Sequence, residues 1–501
     1  MYRSRPTGNL DSKALSYLSS ITEDSDLFYY DLLGSQAHVI MLHESNILSK
    51  KETIEILKAI GRLMSNSAAL NEYAANSTAE DIHEMIESAV IKITTMNVGG
   101  KIHTARSRND QVVLDIRMKL RDDLNRISSN LLGLIHSLLS RAKENIETIM
   151  PMYTHLQQAQ LGVLSHYLLS YCFSLLRNFE RFSENYKRIN VSPLGACAIG
   201  GSSMGIDRNK VASMLGFSDI VYNSVDATTS RDFLVEFSSN SLNTMLDLCR
   251  ISEDFIIWST SEFGFISLND QFSSSSSAMP QKKNPDPLEL IRGKTAMIEG
   301  NLVAISSIIK GLSSGYSRDL QEIKPLLWKT SSTLETSIEI MNGIVSTISV
   351  DQDKMYAASA KSYAISLDIA EQLITKGDIS FRLSHKVIGT IVDYASRNGN
   401  VPLNSLTVSD ITNSLKKIDF SHEILTPEKI LNLIKLTTPE NSIKFRKTKG
   451  SPNKNEQQIM IDHIEKIIFD YEKELELRSN KLQLGMDQLD KKINQLINES
   501  S

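Results

Sequence analysis

Apolar residues recur along most of the chain at the 3.6-residue spacing of an α-helix. The clearest run follows the tetrapeptide SRND at 107–110. Val112, Val113, Ile116, Leu120, Leu124, Ile127, Leu131 and Leu138 mark one face, and Pro151 is read as its stop. Ser107 and Asp110 have the spacing of a capping box, with Asp where Glu or Gln is commoner. A second run covers about 157–189 through Leu161, Leu164, Leu168, Cys172, Leu175 and Phe179. A third spans about 231–260, a fourth starts at Pro287 and reaches about 312, and a fifth spans about 325–349. Pro287 suits a first helical turn, where its missing N–H has no partner to lose. Helices this long bury more than one face only in a bundle or coiled coil. Strand-like alternation is scarce, so the expected fold is all-α.

The pattern divides the chain. Residues 1–105 hold shorter helices and loops, 106–352 the long helices, and 353–450 helices broken by Gly and Pro. After the polar stretch RKTKGSPNKNEQQ comes a charged extension over 451–501. There Ile461, Ile464, Ile468, Tyr471, Leu475, Leu482, Met486, Leu489, Ile493 and Leu496 approach heptad spacing, with a break between Arg478 and Gly485. This fits either a coiled-coil extension or one amphipathic helix docked on the body.

Composition narrows the class. The 501 residues are 41% hydrophobic and 23% charged, as in soluble globular proteins. A net charge of -5 offers no basic footprint for nucleic acid. Cys172, Cys197 and Cys249 lie in apolar stretches without CxxC spacing, which argues for core thiols in a reducing cytoplasm. The start MYRSRPTGNLD has no apolar core of a signal peptide, and no apolar run is long enough to cross a bilayer.

Candidate chemistry sits between the helices. KIHTARSRNDQ at 101–111 places Arg106, Arg108 and Asn109 at a helix start, where the dipole and free N–H groups favour an anion. Taken alone, a capped helix with solvated arginines is the commoner meaning of such a stretch. MPMYTHLQQAQ at 150–160 sets Thr154 beside His155, a histidine placed to move a proton near neutral pH. The glycines of SPLGACAIGGSSMGIDR at 192–208 lack GxGxxG and a βαβ setting, which disfavours a dinucleotide site. In NSVDATTSRDFLVEF, Arg231 and Asp232 read as a buried ion pair. FSSSSSAMPQKKNP at 272–285 looks like a serine linker by composition, yet it runs into Lys282, Lys283 and Asn284 just before a helix carrying Glu289 and Arg292. YSRDLQEIKP at 316–325 offers Tyr316, Gln321 and Lys324 to a carboxylated ligand. Walker, HExxH, GxSxG and EF-hand motifs are absent from the sequence, as is a good metal motif.

Taken in order, these motifs resemble the argininosuccinate lyases of the fumarase/aspartase superfamily, which also include the delta-crystallins. SSAMPQKKNPDPLELIRGK is similar to the superfamily signature loop. DLLGSQAH at 31–38, EDIH at 80–83, SRNDQ, YTHLQ, NSVDA and the Tyr–Gln–Lys set point to the argininosuccinate branch. The resemblance is clear over about 25–350 and looser to about 450. It implies a three-domain fold with a long central helical bundle and a homotetramer core built from four subunits. It further implies active sites shared between subunits. The implied reaction is reversible elimination of argininosuccinate to arginine and fumarate in arginine biosynthesis, through an aci-carboxylate carbanion, with no metal or redox cofactor. Adenylosuccinate, aspartate or malate lyases and a structural crystallin are the rival readings.

Carried over by motif, Ser276 and His155 are the base and acid, which the family has been assigned in either order. Lys282 steadies the developing charge and Glu289 orients His155. Arg108, Asn109, Thr154 and Asn284 match substrate and carboxylate contacts, and Ser35, Tyr316, Gln321 and Lys324 match contacts to the arginine part. Three positions depart from the family pattern. Ser275 and Ala105 stand where glycine is usual, which strains the backbone if φ is positive there. Ser230 stands where an acidic residue is usual. The extension beyond about 450 exceeds the usual family length.

Overall fold

The structure, a computed structural model, describes residues 11–65, 79–418 and 420–499. Its N-terminal part packs α1 (Phe28–Glu44), α2 (Lys50–Ser65) and α3 (Ile82–Ile93) around Leu32, Ile40, Leu42, Ile56, Ile60, Ile82 and Val90. Helix α1 is buried almost all round from Asp31 to Leu42, so its polar residues must find partners inside the protein.

The first long helix is α4 (Arg108–Glu144), started by the expected capping box of Ser107 and Asp110. At 37 residues it is about 55 Å long. It ends at Glu144, not at Pro151. The segment that follows is a hairpin of β1 (Ile149–Thr154) and β2 (Gln157–Val163). Pro151 pairs with Leu161 there, which a two-stranded sheet tolerates because both strands are edges. The second helical run therefore begins at Leu164, as α5 (Leu164–Ile189), and not near 157. A short helix, α6 (Arg208–Met214), precedes α7 (Asp232–Ser259). A minimal hairpin, β3 (Ser274–Ser275) and β4 (Lys283–Asn284), leads into α8 (Asp286–Ile309), and α9 (Ile323–Thr347) completes the bundle.

Helices α4, α5, α7, α8 and α9 pack on one another along their length. Their core includes Phe179, Phe182, Phe233, Phe237 and Phe255, all fully buried. Burial of each such ring contributes about 2–3 kcal/mol. Shorter helices between Ser366 and Phe445 enclose a separate cluster around Ile369, Leu373, Val387, Ile391, Ile411 and Ile430.

The extension is one 45-residue helix, Lys454–Asn498, docked along the body. Ile461, Ile464 and Ile468 join the bundle core, and Tyr471 stacks on Phe179 at 4.2 Å. Farther on, Leu489, Met486, Ile493 and Leu496 join the N-terminal cluster. The break in the heptad has a physical cause. Arg478 is buried over the Tyr186 ring at 4.3 Å. A Cβ on Gly485 would sit 2.7 Å from the Gly216 nitrogen, so glycine is what lets the helix touch that turn. No helix among the described residues is long and apolar enough to cross a membrane.

Candidate active site

The candidate residues fall into two groups at opposite ends of α4. At its N-terminal end the chain builds a buried polar network. Arg106 Nη2 donates to Ser35 Oγ at 2.9 Å, and Ser35 donates to Asp31 at 3.2 Å. Gln111 donates to Asp31 at 2.8 Å, and His83 Nδ1 contacts the same carboxylate, with Asp115 3.7 Å away. Burial opposes charge on His83, yet the Asp31 contact overcomes it and raises its pKa. Burial likewise works against Asp31, but His83 and Arg106 hold it below the carboxylate range. Asp115 is pushed well up by burial and by Asp31. His83 and Arg106 thus lie beside the paired carboxyl groups of Asp31 and Asp115, whose pKa values are driven in opposite directions. His38, pushed down to about 3 by burial and by Arg106, binds the Thr104 carbonyl at 2.8 Å.

Ala105 follows with φ of 59°, so this position does require the left-handed region, at a cost of about 1 kcal/mol for alanine. Arg108 is held by Asp81 at 2.9 Å and Glu84 at 3.5 Å, and Asn109 Nδ2 donates to the Ala198 carbonyl at 2.9 Å. The segment 316–324 closes the same end. Gln321 donates to the Leu18 carbonyl at 3.3 Å, and the buried Lys324 ammonium is paired with the buried carboxylate of Asp24. The Tyr316 hydroxyl is raised by burial, with Arg231 pulling it down. Arg231 does not pair with Asp232. It is buried while Asp232 is exposed, and it donates to the carbonyls of Thr228 and Ser230 at 3.2 and 2.8 Å. Burial pushes its pKa down to about 10.

At the other end the candidates stand on loops. Thr154 and His155 form the hairpin tip, where His155 and Leu156 have φ of 55° and 56°. Two successive positive φ angles suit a tight two-residue turn but strain non-glycine residues, and such strain gathers at functional sites. Ser276 lies in the loop between β3 and β4. Its N–H donates to the Lys282 carbonyl at 3.3 Å, and its Oγ accepts from the N–H groups of Ala278 and Met279 at 3.3 and 3.1 Å. Ser275 sits in strand β3 and is not among the positive-φ residues, so serine causes no strain of that kind there. Asn284 Nδ2 lies 3.5 Å from Ser274 Oγ, and Lys283, not Lys282, is tied down, to Leu268 and Asp270. Lys282 and Glu289 are exposed. Among the described residues His155, Ser276, Lys282 and Glu289 make no side-chain hydrogen bond or ion pair with one another.

Both loops belong to the C-terminal end of α4. Arg141 in its last turn binds the Ile348 carbonyl, and Tyr153 meets Phe263 at 6.0 Å. With about 55 Å of helix between them, the two groups of one chain lie too far apart for one small substrate. Sequence reasoning did not assign roles to Asp24, Asp31, His83 or Asp115, and it read Arg106 only as a donor to an anion. The signals were present, in DLLGS with its Asp–Ser spacing of four and in EDIH.

Comparison with known proteins places this arrangement. A family model described as "Lyase" matches residues 12–300, and one described as "Argininosuccinate lyase C-terminal" matches 363–432. The argininosuccinate lyase of Nitrosopumilus maritimus is 47% identical over 499 residues, 99% of this chain and 100% of that one, so it shares the extension. That of Caldanaerobacter subterraneus is 41% identical over 444 residues, 89% of this chain and 97% of that one. Among solved structures, EDDS lyase in complex with formate has a TM-score of 0.88 at 26% identity, covering 98% of this chain and 97% of that one. A class II fumarase from Schistosoma mansoni, at 16% identity and a TM-score of 0.70 over 85% of this chain and 94% of that one, shares the fold. The all-α bundle, the ordered motifs and these relatives agree, and the chain belongs to the argininosuccinate lyase family of the fumarase/aspartase superfamily.

Proposed function

We propose that the chain is a carbon–nitrogen lyase that cleaves argininosuccinate reversibly to arginine and fumarate, serving arginine biosynthesis in the cytoplasm. Curated relatives of that activity at 36–47% identity support the reading. In the reaction a base removes a proton from the carbon next to a carboxylate. The electron pair moves into that carboxylate, giving an aci-carboxylate, and returns to form the carbon–carbon double bond as the C–N bond breaks. The departing guanidino nitrogen takes a proton from an acid.

The observation that carries the assignment of residues is the setting of Ser276. A serine hydroxyl is a poor base until its anion is stabilised. Here two backbone N–H groups already point at Oγ, and a lysine without an ion-pair partner among the described residues stands in the same loop. Donors fixed before the reaction lower the cost of an oxyanion. Ser276 is therefore the base and His155 the acid, with Glu289 orienting it and Lys282 facing the aci-carboxylate. Thr154 and Asn284 hold the fumarate part. Ser35, Arg108, Asn109, Tyr316, Gln321 and Lys324 receive the remainder at the other end of a neighbouring chain.

That division requires at least a second copy of the chain, and the proposed assembly is a homotetramer with shared sites. The distance along α4 supports it, since only another copy brings a Ser276 loop to an Arg108 end. The boundaries at 105, 352 and 450, dividing an N-terminal lobe, a bundle and a C-terminal lobe from the 451–501 extension, are proposed on the separate hydrophobic clusters. Fumarate release, followed by its ultraviolet absorbance, tests the activity. Absence of fumarate from argininosuccinate with release from adenylosuccinate or aspartate overturns the substrate.

A further inference from the structure

A cavity of about 330 Å³ lies behind the hairpin tip, outside the residues assigned above. Its walls are aromatic, formed by Tyr153, Tyr167, Trp258 and Phe263, with Leu156 at the edge and Asp254 as its one ionisable acid. Tyr167 and Trp258 have ring centroids 4.6 Å apart, and Tyr153 and Phe263 6.0 Å.

Among the described residues Asp254 makes no direct ion pair, and the Arg250 guanidinium acts on it only from a distance. Its Oδ2 accepts the hydroxyls of Tyr167 at 2.6 Å and Tyr171 at 3.4 Å, and among the described residues it has no ion-pair partner. Its neighbour Glu253 takes Arg292 instead, at 2.5 Å. Burial pushes the Asp254 carboxyl up, helped by the Glu253 charge, against the pull of the two hydroxyls and of Arg250. Such a site favours a ligand that brings positive charge without demanding strong hydration. Aromatic faces attract organic cations through their quadrupoles, most strongly where water is excluded. An apolar pocket with a few convergent polar groups is the usual form of a small-molecule site.

We infer that this cavity is a binding site for a small organic monocation, an alkylammonium or guanidinium group, held between the aromatic walls with its charge against Asp254. The site is separate from the catalytic residues, although its edge residue Leu156 adjoins His155, so occupancy braces the hairpin tip.

The chain has two tryptophans, so Trp328→Phe leaves Trp258 as the reporter. The full-length variant is titrated with tetramethylammonium chloride against sodium chloride at equal ionic strength. The inference expects a saturable change in Trp258 emission with the organic cation alone. Asp254→Asn keeps an oxygen for the two hydroxyls and is expected to weaken binding by about tenfold or more. No saturable response beyond sodium chloride, or an unchanged midpoint in Asp254→Asn, overturns it. Should Trp328→Phe fail to fold, saturation transfer from the unaltered protein to the tetramethylammonium methyl protons decides the matter. Transfer that falls with Asp254→Asn supports the site, and absent or equal transfer overturns it.

Discussion

The two ends of α4 are built in opposite ways. At its N-terminal end Ser35, Arg106, Arg108 and Lys324 are tied to carboxylates or hydroxyls of the same chain, and much of the network is buried. At its C-terminal end His155, Ser276, Lys282 and Glu289 stand on or next to loops, and among the described residues their side chains make no hydrogen bond or ion pair with one another. The first end is preorganised by folding. The second presents its candidate reactive groups outward, and the Ser276 oxygen accepts only local backbone N–H donors. In the proposed shared site, the finished end is the binding half and the open end the chemical half, each from a different chain.

This contrast can be broken residue by residue. The largest effect is expected at the open end. Ser276→Ala should lower kcat by about 10³-fold or more with the fold and assembly intact. Steady-state fumarate release beside Ser275→Ala and Ser277→Ala checks it, and a dead neighbour with a live Ser276→Ala would place the reactive serine elsewhere.

At the closed end the first loss should be of stability. Lys324→Met strands Asp24, a fully buried carboxylate, and should cost about 3–5 kcal/mol in urea unfolding. The His83–Asp31 pair adds a pH signature. The folded pKa of His83 is raised, so its contribution is fully present below the unfolded value of about 6.5 and is lost as pH rises through the folded value. His83→Asn should therefore cost about 3 kcal/mol at pH 6 and less at alkaline pH, read from unfolding curves across that range.

A smaller effect belongs to the tail helix, which spans from the bundle to the N-terminal cluster. Gly485→Ala puts a Cβ within 3.0 Å of backbone atoms of Gly216 and Ser213, so it should cost about 1–3 kcal/mol. Hydrogen exchange should rise in α1 and α2 more than in the β3–β4 loop. The smallest change is a gain. Ala105→Gly relieves a positive φ and should stabilise by about 0.5 kcal/mol, part of the relief being offset by the freer unfolded chain.

The long helices were legible because their apolar spacing persists over many turns, and the observed bounds of α7, α8 and α9 lie within a few residues of expectation. The β1–β2 hairpin was not. Leu161 and Leu164 fit a helical period as well as Leu161 and Val163 fit a strand, and an irregularity between Met152 and Tyr153 disturbs the alternation. Pro151 looked like a helix stop because proline forbids both a helix interior and a central strand, and a two-stranded hairpin is the exception. Site residues were legible as motifs. Their pairing was not, since the Asp31–His83 and Lys324–Asp24 contacts join segments remote in sequence. The polarity of the tail was legible, but its docking on Phe179 and at the Gly216 turn was not, since no pattern in the sequence links those distant positions to the tail.

Hybrid assembly tests the shared site most directly. Arg108→Ala and Ser276→Ala chains, each with little activity alone, are dissociated together and reassembled in equal amounts. If the two ends come from different chains, random mixing restores an intact pair in roughly a quarter of the sites, and activity should recover toward that fraction. Activity that stays at the level of the separate variants, in mixtures shown to contain hybrid oligomers, would contradict the account.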